Sequence, residues 1–130
     1  MPSHRCRSFR HLLVVMLFTV VIMWAAAGSV MAHAIVTWSS LQATPVLEQT
    51  PTTIRLRFNA RIEWPFTQVS LVSADDEVRP LRFAAGARPG EMAVQLPALP
   101  PGVYGLRYEV LAADGHFTRD TLRFRVPGPR

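Results

Sequence analysis

The chain has 130 residues and carries 14 Lys plus Arg against 9 Asp plus Glu, a formal charge of +5. Arg5, Arg7 and Arg10 lie within the first 32 positions, and the 11 basic residues beyond them are all arginine, so residues 33–130 carry a net charge of only +2. That small excess, spread at strand spacing, excludes a nucleic-acid-binding domain, and Cys6 as the lone cysteine leaves the rest of the chain without a disulfide, CxxC redox pair or thiolate zinc site.

The first predicted element is a secretory signal over residues 1–32. Arg5, Arg7 and Arg10 precede an uncharged apolar run from Leu12 to Ala27, and Val30 and Ala32 then supply the two small residues that signal peptidase reads. The cut falls before His33. An uncleaved anchor is the alternative, because the run extended through Gly28–Ala32 approaches the roughly 20 residues that span a bilayer. Positive charge ahead of the run keeps that end in the cytoplasm in either case, so the domain at 33–130 is expected to be exported and to work outside the cytoplasm. Its length, about 98 residues, suits one β-sandwich and is too short for two domains.

Period-two alternation then runs through most of the chain. In "TTIRLRFN", Ile54, Leu56 and Phe58 alternate with Arg55, Arg57 and Asn59, which predicts a strand with one buried face. "QVSLVSA" and "VRPLRFA" flank the turn Ala74–Glu77 and predict a hairpin around Asp75 and Asp76. "EMAVQL" is expected to bury Met92, Val94 and Leu96. After the Pro-rich "PALPPG", "VYGLRYEVL" points Tyr104, Leu106, Tyr108 and Val110 one way, and "TLRFRV" points Leu122, Phe124 and Val126 inward. No segment reads as a helix. About seven short strands punctuated by Pro and Gly turns predict an all-β, immunoglobulin-like Greek-key β-sandwich.

Two places carry chemistry. Beyond residue 32 there are only two histidines, His33 and His116. Cleavage after Ala32 makes the first of them the new amino terminus, where a free amine and an imidazole form a chelate. The second follows Asp114 and Gly115 in "ADGH". An extended backbone sends both side chains from one face, and a bend at Gly115 brings them together. Taken alone, "ADGH" is an ordinary Asp-Gly turn and His33 an isolated polar residue. Together, an amine, two imidazoles and a carboxylate form a nitrogen-rich donor set suited to tetragonal Cu(II), which also leads the divalent first-row affinity order. Trp38 and Trp64 are expected as core or rim aromatics.

These residues resemble the CopC family of periplasmic copper-binding proteins. The likeness is carried by "HA" after the signal, Ser39 and Ser40, "PTTIRLRFN", "GVYGLRYEV", the "ADGH" turn and the closing "RFRV". It covers residues 33–127 and identifies 33–130 as a CopC-like domain. The resemblance implies an immunoglobulin-like β-sandwich and a Cu(II) site made by His33, through amine and ring, with Asp114 and His116. "FNA" stands where relatives often have "FSE", so Ala60 replaces an acidic residue that sometimes adds a ligand. The sole methionine beyond residue 32 is Met92, so the methionine-rich Cu(I) site of some relatives is not expected. Tyr108 stands where a tryptophan is common.

The implied function is a monomeric, non-catalytic copper carrier or buffer in the periplasm. It serves copper homeostasis or resistance and has a membrane copper-transport partner of the CopD type. The alternative is a structural or adhesion-type sandwich whose histidines are incidental. A copper monooxygenase with an amino-terminal histidine is disfavoured, because no substrate platform is evident. A Ser/His/Asp arrangement is disfavoured because both histidines are taken.

Overall fold

In the computed structural model, which describes residues 33–129, alternation along the sequence becomes eight strands. They are β1 (Val36–Ser39), β2 (Thr52–Phe58), β3 (Ile62–Val72), β4 (Val78–Pro80), β5 (Arg82–Ala85), β6 (Glu91–Leu96), β7 (Gly102–Ala112) and β8 (Phe117–Val126). The signal peptide expected over 1–32 lies outside the described residues.

Two four-stranded antiparallel sheets form, in the orders β1-β2-β6-β5 and β4-β3-β7-β8. The chain crosses from one sheet to the other after β2, β4 and β6, and the central pairs β2–β6 and β3–β7 join strands far apart in sequence. This is the predicted Greek-key β-sandwich, with eight strands where about seven were expected.

The alternating residues fill the space between the sheets. Ile54, Leu56, Phe58, Met92, Val94 and Leu96 line one inner face, and Ile62, Val69, Leu71, Leu106, Tyr108, Val110 and Val126 line the other. Burying each large aliphatic side chain contributes about 1.5–3 kcal/mol before conformational entropy is subtracted, which lets this domain hold together without a disulfide. Val46 and Leu99 enter from loops, and the Gln49 N–H donates to the Leu99 carbonyl at 2.8 Å to tie those loops together.

Two segments depart from simple alternation. "VRPLRFA" is not one strand: β4 pairs with β3, β5 pairs with β6, and the chain changes sheet at Leu81, whose N–H donates to the Val69 carbonyl. Pro80 has no N–H to extend the first ladder, which favours the break there. In β8 only Val126 is fully buried, while Leu122 and Phe124 pack partly buried against the core. β8 is an edge strand, so its inward residues have neighbours on one side only.

The sequence pair Ser39-Ser40 pins the first connection. Ser39 Oγ accepts from the Leu41 N–H at 3.2 Å and caps the short 3-10 turn Ser40–Gln42, and Ser40 Oγ accepts from the Arg55 N–H at 3.0 Å. A register shift between Val36 and Trp38 turns Trp38 outward beside Arg57, whose guanidinium lies 5.9 Å from the indole centre. Trp38 is thus a rim aromatic and Trp64 packs partly buried against the core, as expected.

Candidate metal centre

At one end of the sandwich β7 turns into β8 through Ala113–His116. The Ala112 N–H donates to the His116 carbonyl and the Gly115 N–H to the Ala112 carbonyl, both at 2.9 Å. Closing so short a turn requires a left-handed residue, and Gly115 supplies it with φ +88°. The bend brings Asp114 and His116 together: Asp114 Oδ1 accepts from the His116 backbone N–H at 3.0 Å and stands 3.4 Å from His116 Nδ1.

That geometry sets the charge state. The His116 N–H donated to the Asp114 carboxylate holds its pKa below the usual value, and partial desolvation opposes this. Positive charge on His116 and, more weakly, on His33 adds to the lowering. Asp114 is therefore an anion at neutral pH, ready to accept a cation.

His33 arrives from the opposite sheet. Ala34 is fully buried in the core, and one residue on, the Ile35 N–H donates to Asn59 Oδ1 at 2.8 Å while the Asn59 N–H donates to the Ile35 carbonyl at 3.0 Å. Alternation then leaves His33 outside, where its ring centre lies 6.1 Å from that of His116, tilted by 35°.

Of the three residues singled out in the sequence, Asp114 and His116 are in contact and His33 and His116 are ring neighbours. They do not close into a formed cluster: among the described residues, no three His, Cys, Asp or Glu side chains are gathered as a metal-holding group. Ala60 packs partly buried against the core and offers no side-chain oxygen. Met92 is buried, as its place in an alternating strand predicts. Asn59, which anchors the segment carrying His33, was missed. No local pattern signals it, because its partner Ile35 lies 24 positions away in the chain.

An antiparallel β-sandwich with two imidazoles and a carboxylate at one end defines a class, that of small β-sandwich domains with an exposed nitrogen and oxygen donor set. The CopC domain family matches residues 36–127, and the chain belongs to that family. Among solved structures it is similar to CopC from Methylosinus trichosporium OB3b, at 21% identity and TM-score 0.62, covering 75% of this chain and 97% of that one. It is also similar to PcoC, a methionine-rich copper resistance protein from Escherichia coli, at 22% identity and TM-score 0.56, covering 73% of this chain and 99% of that one. At these identities the likeness establishes the fold. No curated protein matches the chain in sequence.

Proposed function

We propose that this domain is exported to the periplasm, binds Cu(II) as its cargo through His33, Asp114 and His116, and carries or buffers the ion in copper homeostasis or resistance. The observation that carries the reading is the 6.1 Å approach of the His33 and His116 rings beside the Asp114 carboxylate. Membership of the CopC family and the likeness to a copper resistance protein support the choice of metal. Imidazole and carboxylate donors suit tetragonal Cu(II), whereas Cu(I) favours soft sulfur ligands and Met92 is enclosed in the core.

The chain's own groups have distinct tasks in this reading. Asp114 supplies negative charge and directs His116, and both imidazoles supply nitrogen. Removal of residues 1–32 frees the His33 amine as a further donor. The ion is held and released without a chemical step, and a membrane copper-transport protein of the CopD type is the partner that such a monomeric carrier would serve.

Mass spectrometry of the exported protein with and without Cu(II) tests the proposal by reading cleavage position and stoichiometry together. One Cu(II) on a chain beginning at His33 is expected, with His116→Ala losing the ion while keeping the apo fold. Zn(II) bound as tightly as Cu(II) would overturn the metal assignment. A chain that binds no metal would leave a structural sandwich.

A further inference from the structure

We propose that the link Asn59–Ala60–Arg61 is a strut that sets the separation of the two histidines, with Asn59 as the positioning residue for His33. This rests on the metal-binding reading above. The two halves of the centre come from different sheets: His33 leads into β1, and Asp114 and His116 lie between β7 and β8. The β1–β2 ladder reaches Val36 and Phe58 and the β3–β7 ladder reaches Ile62 and Ala112, so the chain between β2 and β3 joins the two halves and is hydrogen-bonded to both.

At its first residue, Asn59 holds Ile35 by two hydrogen bonds, a side-chain acceptor at 2.8 Å and a backbone donor at 3.0 Å. The β1–β2 ladder has its last paired residues at Val36 and Phe58, so the amide side chain supplies the acceptor that the ladder no longer offers to the Ile35 N–H. At its third residue, the Arg61 carbonyl accepts from the Ala113 N–H at 3.1 Å, next to Asp114.

The strut is braced from behind. The Phe58 N–H donates to the Gly90 carbonyl at 2.9 Å, and a side chain at Gly90 would put its Cβ 2.7 Å from the Ala60 carbonyl oxygen. Gly90, with φ +78°, lets the two backbones close. A fixed link of this kind lowers the ordering cost of binding, since the donors are held near their bound spacing before the ion arrives.

The test compares the wild-type exported protein with Asn59→Ala and with Thr53→Val. The latter removes another side-chain hydrogen bond on β2, from Thr53 to Gln95, away from the centre. Amide exchange at Ile35, Cu(II) affinity and the Cu(II) electron paramagnetic resonance spectrum are read for each. Asn59→Ala should expose the Ile35 N–H to exchange, weaken Cu(II) about tenfold and broaden the spectrum, while Thr53→Val leaves affinity and spectrum as in the wild type. Wild-type affinity and spectrum in Asn59→Ala, with Ile35 unprotected, would overturn the strut alone. A wild-type protein that binds no Cu(II) would overturn the metal-binding reading and the strut with it.

Discussion

The Asp114 carboxylate engages both ends of His116: one oxygen, Oδ1, accepts its backbone N–H at 3.0 Å and stands 3.4 Å from its ring Nδ1. A carboxylate against one ring nitrogen orients the imidazole and leaves Nε2 as the outward donor. Asp114→Asn keeps an oxygen for the backbone N–H but loses the charge. Cu(II) affinity should fall about 10–100-fold, the range found when such orienting partners are removed. Isothermal titration against a competing chelator checks it, and unchanged affinity would remove Asp114 from the site.

The same carboxylate makes a prediction for the metal-free protein. Its folded pKa is lowered, first by the His116 N–H, so its contribution to stability is present above the unfolded value of about 3.9 and is lost as pH falls through the lower folded value. Carboxyl chemical shifts followed by NMR should place the Asp114 midpoint below that reference value. In Asp114→Asn this part of the acid dependence disappears.

Gly115 occupies the left-handed region at φ +88°, and a Cβ built there meets nothing within 4 Å. The cost of Gly115→Ala is therefore backbone strain without collision, about 1 kcal/mol. For a domain of this size that lowers Tm by about 4–8 °C. Copper affinity should drop as well, because the turn that joins Asp114 to His116 must relax. A calorimetric scan with unchanged Tm would show that the turn tolerates the new residue in another conformation.

Tyr108 lies in the core with Phe58 packed edge-on at 5.3 Å between ring centres. Burial first, and then the negative charge of Asp120 across the β7–β8 pair, push its phenol up to about 12, while a backbone hydrogen bond from Val36 opposes the shift. The neutral form is thus favoured in the fold. Its contribution is complete below the unfolded pKa of about 10 and is lost as pH rises through about 12. Stability measured by urea unfolding should fall between those values in the wild type and less steeply in Tyr108→Phe. Equal slopes would place the alkaline transition elsewhere.

Where residues alternate strictly, the fold was legible before any coordinates. Ile54, Leu56 and Phe58 in β2, and Met92, Val94 and Leu96 in β6, all point inward as their spacing requires. The break at Leu81 was not, although the apolar phase shifts from Val78 and Pro80 to Leu81 and Phe83, because the change of pairing partner is a non-local property. β1 was equally hidden: its register shift puts Thr37 and Trp38 both outside. For the candidate site, the scarcity of histidine singled out His33, Asp114 and His116 as candidates. The role of Asn59 lies in hydrogen bonds to Ile35, 24 positions away in the chain, and no local pattern reports such a contact.

The segment before His33 yields the last prediction. Ala34 is fully buried and Ile35 is held by Asn59, so His33 is the first residue outside a fixed anchor. If cleavage follows Ala32, the amine and ring of His33 belong to one residue at that point and can close a small chelate ring on the ion. Adding a single glycine before His33, or blocking the cut, replaces the amine by an amide nitrogen, a far poorer donor, while every side chain stays in place. Cu(II) affinity should fall by at least tenfold. The unmodified form should also weaken as pH drops below the amine's ordinary value of about 7.7–8.0, because copper must then displace its proton. Titration of the two forms at several pH values separates the effects: equal affinity throughout would mean that the ion is held by side chains alone.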